Sequence, residues 1–464
     1  MQQNQDPGEL GAVHFLGIGG VGVSAVARLM LARGVRVSGT DAKDLPVLGE
    51  LAALGARTHV GYAAENLGDA DTVVASSVIK DGNPEYDEAR RRGLRILHRS
   101  EGLAATMAGH HVVAVAGTHG KTTTTSLTAV MLREAGLSPS FAIGANVAGL
   151  GVNAELGGGR IFVAEADESD ASFLNYRPDV VVVTNVEADH LDHYGTAEAV
   201  HASFHRFASL LPEDGLLICC ADDPGSLALA TRMRRERPDL RVQTYGFSEN
   251  ADRRITGAGA QGLRYACLLE WGSGESCGID LAVPGDHNLL NAAAAFAVGL
   301  DSGLEPEQAA RGLAAFSGAA RRFEFRGEAA GVKVYDDYAH HPTEVLAALR
   351  AARSVAGDGR VHVLFQPHLF SRTREFWRDF ADALSLADTA LVLDIYPARE
   401  EPIPGVTSRL VVDALNTDGG AASAGDAPRR LAEAARPGDL VMTIGAGDVT
   451  EAGPRILDAL RGPV

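Results

Sequence analysis

The chain has 464 residues, 46% hydrophobic and 22% charged, with 42 Lys and Arg against 60 Asp and Glu for a formal net charge of −18. That length suggests about three domains at ~150 residues each, with ample material for packed cores. So acidic a chain does not suit nonspecific binding to nucleic acid or an anionic membrane, and no apolar run is long enough to span a bilayer.

The opening stretch, Met1-Gln2-Gln3-Asn4-Gln5-Asp6, is polar and lacks the basic-then-apolar pattern of a secretory signal. Ala12–Leu16 predicts a strand, Gly17-Ile18-Gly19-Gly20-Val21-Gly22 a glycine loop, Ser24–Ala32 a helix, and Val35–Gly39 a second strand ending at Asp41. Gly-x-Gly-x-x-Gly between strand and helix, with an acidic residue closing the next strand, suggests NAD if taken alone. The alternative is a tight turn without a ligand. Thr72–Ser77 and Leu94–Leu97 read as further strands around a helix at Asn83–Arg92, and Glu101–Met107 as a short helix closing the first domain.

Val112–Ala116 is a run of small and β-branched apolar residues, which predicts a buried parallel strand. It stops at Gly117-Thr118-His119-Gly120-Lys121-Thr122, and a Thr-rich helical segment follows from Thr123. A helix start offers unpaired N–H groups and a partial positive charge, and Gly117 and Gly120 let the backbone approach phosphate oxygens. Lys121 can reach the outer phosphates, and the Thr122 hydroxyl can ligate magnesium. Position 115 is Val rather than Gly, so the strict P-loop spacing is not met. A nucleoside triphosphate site remains the stronger reading over a plain turn with a surface lysine, the more so because lysine otherwise occurs only at Lys43, Lys80 and Lys333.

Two more expected strands, Ile161–Ala164 and Val180–Asn185, run into the acidic clusters Glu165–Asp170 and Glu187–His193. Open α/β sheets bind ligands beyond such carboxyl ends. Glu165, directly after its strand, suits a magnesium carboxylate, whereas Asp167, Glu168 and Asp170 each read as solvated loop charges. His190 could offer an imidazole to a second cation, although a lone histidine is more often structural. His190 and His193 have zinc-ligand spacing, but nothing completes that set. Cys219, Cys220, Cys267 and Cys277 show neither metal spacing nor a disulfide framework, which fits a reducing cytoplasm. Asn288 and Asn291 share one face at the start of an alanine-rich helix through Leu300, suited to an adenine edge or to helix capping. Ser317–Ala320 reads as a linker.

Beyond it, Val332–Asp337, Val361–Phe365, Thr389–Ile395 and Asp439–Ile444 predict strands, with helices at Pro342–Val355 and from Thr373 to about Leu386. Asn416–Asp426 is rich in Gly, Ala and Asp and is expected to be a mobile loop. Arg321 and Arg322 lie where guanidinium groups can reach phosphates, or are a surface pair. The polar density in Tyr335–Pro342 and Gln366–Arg374 suggests a small polar substrate held by Arg and His. The expected fold class is α/β in three domains. These are a Rossmann-like N-terminal domain (1–108), a central P-loop ATPase-like parallel-sheet domain (109–319) and a C-terminal Rossmann-like domain (320–464).

In this order, His14–Gly20, Ala116–Thr124, Glu165–Phe173, Thr184–His190 and Asp336–Glu344 resemble the Mur ligases, ADP-forming amide ligases of peptidoglycan synthesis, over essentially the whole chain. The shortened Gly-Thr-His-Gly-Lys-Thr loop is the one that family uses. The resemblance implies ATP-dependent ligation of L-alanine to the carboxylate of UDP-N-acetylmuramate through an acyl phosphate. It also implies a cytoplasmic monomer or homodimer with no nucleic-acid partner and no membrane insertion.

By the same resemblance, the first loop binds the UDP-sugar through Gly17, Ile18, Gly19, Gly20, Gly22 and Asp41. ATP falls to Gly117, Thr118, His119, Gly120, Lys121, Thr122 and Thr123, with Asn288, Asn291, Arg322 and Asp337 also touching the nucleotide. Two Mg2+ sites are implied, one at Thr122 and Glu165 and one at Glu165 and His190. Lys121, Glu165 and His190 form the catalytic set, and Tyr338, His340 and Arg372 hold L-alanine. Two departures stand out. Several relatives carry a carbamylated lysine near the metals, yet no lysine lies between Lys121 and Lys333, so His205 or water would fill that gap. Leu369 stands where an Arg is common, which shifts carboxylate recognition toward Arg372 and Arg374. The rivals are a recycling ligase that adds a murein tripeptide to the same sugar nucleotide, an NAD-dependent oxidoreductase and a non-enzymatic nucleotide-binding regulator.

Overall fold

A computed structural model describes residues 7–76, 78–147, 149–261, 264–398 and 400–462. The polar stretch Met1–Asp6 and Ser77, the expected end of one strand, lie outside the described residues. The chain forms two compact units. One takes Met1–Thr256, Leu268–Ile279 and Leu290–Phe316, and the other Gly257–Cys267, Asp280–Leu289 and Ser317–Val464.

The first unit contains two sheets. Five parallel strands come in the order Arg57–Val60, Val37–Asp41, Val13–Leu16, Thr72–Ala75 and Arg95–His98. The second sheet has a parallel core ordered Arg241–Gly246, Leu216–Cys220, Val180–Val183, His111–Ala116, Ile161–Glu165 and Ser140–Ala142. Val180–Val183 is four valines, all fully buried, because a parallel strand covered on both faces needs apolar side chains in both directions. His111–Ala116 lies between Val180–Val183 and Ile161–Glu165. The carboxyl ends of these three strands therefore meet where the helix Lys121–Glu134 begins.

Two polar devices hold the first unit together. Arg33, just past the helix Val21–Ala32, donates from Nη2 to the carbonyls of Thr106 (2.7 Å) and Ala108 (2.9 Å). It thereby caps the C-terminal end of the helix Arg99–Thr106, where unpaired carbonyls favour a cation. Beneath the first strand, fully buried His14 meets fully buried Glu85 at 3.0 Å and Ser38 Oγ at 2.9 Å. Glu85 Oε1 also accepts from Ala63 N (3.0 Å) and Asn66 Nδ2 (2.8 Å). Burial opposes the Glu85 charge, but the donors from His14, Ala63, Asn66 and Thr40 outweigh it and hold the carboxyl below its usual range.

The second unit carries a sheet ordered Glu324–Ala329, Val332–Asp337, Leu440–Ile444, Val361–Phe365, Thr389–Val392 and Asp418–Ala421, parallel except for its antiparallel first pair. The last strand corrects an expectation. Part of the stretch read as a mobile loop is sheet, since Gly419 brings its backbone so near Ala390 that a Cβ would lie 1.9 Å from the carbonyl oxygen. Here glycine serves close strand approach rather than flexibility. The helix expected from Thr373 begins earlier, at Phe370, which puts Arg372 on its first turn. Among the described residues no helix is long and apolar enough to cross a membrane.

The Glu85 pair yields a test. Its depressed folded-state value means its contribution to stability is complete above the ordinary carboxylate range, near pH ~4.3, and is lost as pH falls through the folded value. Glu85→Ala should therefore cost about 3 kcal/mol at neutral pH by stranding His14 and Asn66. Urea unfolding should show that deficit at pH 7 and a smaller one at pH 3.

Candidate active site

The first glycine loop is set by its own backbone. Gly17, at φ +73, accepts from Gly20 N at 3.0 Å, while Gly17 N and Ile18 N donate to the Thr40 carbonyl at 2.8 and 3.1 Å. Asp41 Oδ2 accepts from Gly19 N at 3.0 Å, so this carboxylate shapes the loop. A Cβ at Gly22 would lie 2.5 Å from Arg99 Nη1. Arg99, at the start of its helix, thus stands beside the loop and also 3.7 Å from Asp167, just past the strand Ile161–Glu165. No motif marks it in the sequence, and it went unread there.

The second loop is held from both sides. Thr118 N donates to the Asn185 carbonyl (3.2 Å), His119 N to Asn185 Oδ1 (2.7 Å), and Glu187 N to Thr118 Oγ1 (2.9 Å). Thr184 Oγ1 donates to the His119 carbonyl at 2.5 Å. Gly117, at φ +138, is where the loop turns, and a Cβ there would lie 1.9 Å from Thr184 Oγ1. Gly120, at φ +80, opens the helix, and a Cβ on it would lie 2.6 Å from Asn291 Oδ1. That amide oxygen also accepts from Thr124 Oγ1 at 3.1 Å, so Asn291 reaches the loop. The first helical residues, Lys121, Thr122 and Thr123, present the N–H groups that suit phosphate.

Lys121 Nζ donates to the carbonyls of Gly117 (2.6 Å) and Thr118 (3.1 Å) and to Glu168 Oε1 (2.9 Å). Burial works against this ammonium, but Glu168, Asp167 and Glu165 outweigh it and hold its pKa above the ordinary lysine value. Burial pushes Glu168 up to about 7 against the pull of Lys121. Glu168 therefore departs from its reading as a solvated charge: it is 1% exposed. On the other side, Glu165 accepts from Thr122 Oγ1 (2.9 Å) and Gly144 N (2.7 Å). His190, at φ +55, sets its Nε2 3.6 Å from Glu168 Oε1.

Thr122, Glu165, Glu168 and His190 offer mostly oxygen donors with one imidazole, the chemistry a hard divalent cation accepts. Glu168 Oε2 is buried without a hydrogen-bond partner, which is the observation that the set fits a cation. His205, the suggested substitute for a modified lysine, pairs with Glu236 at 2.8 Å.

In the second unit, Tyr338 and His340 meet edge to face at 5.2 Å, His340 faces His368 at 5.9 Å, and His368 stacks on Tyr396 at 5.8 Å. Arg372 Nη1 lies 3.5 Å from His368 Nδ1. A wall of rings beside a guanidinium suits a small amino acid with its carboxylate. Tyr396 comes from a separate segment and carried no signal in the sequence. Arg322 lies over the Tyr338 ring at 5.3 Å. Asp337, pushed up to about 6 by burial, accepts from Phe323 N (2.7 Å) and Ala339 N (2.8 Å). The Asn288 amide donates to the Pro284 carbonyl at 2.7 Å, a bond to the preceding turn and not a cap on the helix N–H groups.

Models of known families match three successive parts of the chain. They are the Mur ligase family catalytic domain over 12–111, the Mur ligase middle domain over 115–299, and the Mur ligase glutamate ligase domain over 321–447. The UDP-N-acetylmuramate–L-alanine ligase of Paenarthrobacter aurescens (strain TC1) is 64% identical, over 98% of this chain and 98% of its own. That of Renibacterium salmoninarum is 58% identical, over 98% and 97%. Among solved structures, the UDP-N-acetylmuramate–alanine ligase of Thermotoga maritima superposes with a TM-score of 0.79 at 27% identity, covering 96% of this chain and 98% of that one. A murein peptide ligase from Psychrobacter arcticus 273-4 gives 0.70 at 26%, covering 98% and 99%.

The turn at Gly117 yields a test. Gly117→Ala places a methyl group against Thr184 and strains the backbone by about 1–3 kcal/mol before any clash. Thermal unfolding should shift down, and calorimetry should find ADP binding lost.

Proposed function

The chain belongs to the Mur ligase family, and from that premise we propose that it is the ADP-forming ligase that joins L-alanine to the carboxylate of UDP-N-acetylmuramate, an early cytoplasmic step of peptidoglycan synthesis. The observation that carries this reading is 64% identity, across 98% of the chain, to a ligase of that name. In this reading residues 1–108 take the UDP-sugar, 109–319 ATP and 320–464 the amino acid.

A carboxylate is a poor acyl donor, so the γ-phosphoryl of ATP is first moved onto the lactyl carboxylate, giving an acyl phosphate and ADP. The neutral amine of L-alanine then attacks the acyl carbon, and the tetrahedral anion collapses to an amide as phosphate leaves. Lys121 and the N–H groups of Gly120–Thr123 hold the triphosphate and neutralise charge on the transferring group. Thr122 with Glu165, and Glu165 with His190, would hold magnesium, which when bound would supply further neutralisation of phosphate charge. Asn291, with Asn288, Arg322 and Asp337, completes the nucleotide contacts. The loop Gly17–Gly22, shaped by Asp41, takes the UDP diphosphate. Arg372 holds the L-alanine carboxylate, and Tyr338 and His340 close around its small side chain.

The test is phosphate release from ATP in the presence of UDP-N-acetylmuramate. Release should depend on L-alanine, and Lys121→Ala should lower kcat by at least roughly 10³-fold. Normal turnover in that variant would overturn the site assignment. Release driven by the murein tripeptide instead of L-alanine would favour the recycling ligase.

A further inference from the structure

Glu168 is more deeply committed to the phosphate site than a charge-bearing loop residue needs to be. It is 1% exposed, and its backbone carbonyl is fixed by the Tyr194 hydroxyl and by Ala171 N at 3.0 Å. Oε1 accepts from Lys121 Nζ at 2.9 Å, whereas Oε2 is out of solvent without a hydrogen-bond partner. A carboxylate oxygen in that condition is costly, and buried polar atoms are almost always satisfied. A second oddity faces it. His190 adopts φ +55, a conformation that side chains other than glycine's disfavour, and from there its Nε2 reaches to 3.6 Å from Glu168 Oε1. The Glu165 carboxylate acts on the same Lys121 ammonium. One carboxylate oxygen thus meets both an imidazole and the lysine that has to serve phosphate.

We propose that Glu168 is a third protein ligand of the cation site formed by Glu165 and His190, and that it changes partner when substrates bind. In the empty site it holds Lys121 ready and charged. When nucleotide and cation arrive, Lys121 turns to phosphate and the Glu168 carboxylate turns to the cation. No buried charge is left alone at either stage, and cation and nucleotide assist one another's binding. This rests on the reading of Glu165 and His190 as cation ligands.

The test uses the full chain with Mn2+ at saturating ADP, followed by electron paramagnetic resonance, and ADP binding in EDTA by calorimetry. Glu168→Gln should weaken Mn2+ binding by roughly 10–100-fold. It should leave metal-free ADP binding as tight as in the parent chain or tighter, because Lys121 is released. Glu168→Asp, which keeps the charge on a shorter arm, should weaken Mn2+ less, and carries the comparison should Glu168→Gln not fold. Unchanged Mn2+ affinity in Glu168→Gln overturns the proposal, as does a parallel loss of Mn2+ and metal-free ADP, which marks Glu168 as loop scaffolding. Glu165→Gln separates the premise. If it loses Mn2+ while Glu168→Gln does not, the Glu168 role alone fails. If it binds Mn2+ normally, the cation site itself fails.

Discussion

The phosphate site hangs on how closely the turn at Gly117 approaches Thr184 and Asn185. Only a residue without Cβ allows it, since a methyl group there would sit 1.9 Å from Thr184 Oγ1. Because His111–Ala116 runs in the middle of its sheet, its end is flanked by the ends of two neighbours. Each neighbour contributes what the loop lacks. Val180–Val183 leads to Thr184 and Asn185, which grip the loop backbone, and Ile161–Glu165 supplies the carboxylate that meets Thr122. Residues far apart in sequence become one site through strand order alone, as open parallel sheets dictate.

That geometry explains how a chain of net charge −18 can serve anionic substrates. The cations at the candidate sites stand among acids and rings. Lys121 is enclosed by three acidic residues that keep it protonated. Arg99 stands between the first loop and Asp167, and Arg321 and Arg322 flank the Tyr338 ring at 4.9 and 5.3 Å. Fields of this kind act at short range, inside low-dielectric pockets, so the sign of the outer surface does not decide the sign of the site.

Much of this was legible in the chain itself. Strands buried on both faces read as continuous apolar runs, and Val332–Asp337 and Val361–Phe365 match their expected bounds. The loops were legible because glycine at strand ends leaves few alternatives. The strands Arg253–Gln261, Arg264–Trp271 and Glu275–Leu281 were passed over, although Cys277, Ile279 and Leu281 alternate as buried positions and carried the signal. Glu168 was beyond reach, since nothing in Glu165–Asp170 says which acidic side chain turns inward. The same holds for Arg99 and Tyr396, whose importance lies in what folding brings beside them.

Arg33 has a consequence of a different kind. By donating to the carbonyls of Thr106 and Ala108, it fastens its own helix to the chain at the very exit from the first sheet. Those carbonyls lie just before the strand His111–Ala116 that feeds the phosphate loop. The same Nη2 meets His110 Nδ1 at 2.8 Å, one residue before that strand. The point at which the chain leaves the first domain is therefore set by a single guanidinium at the end of that domain's first helix, so the strand that carries the phosphate loop starts from a fixed position.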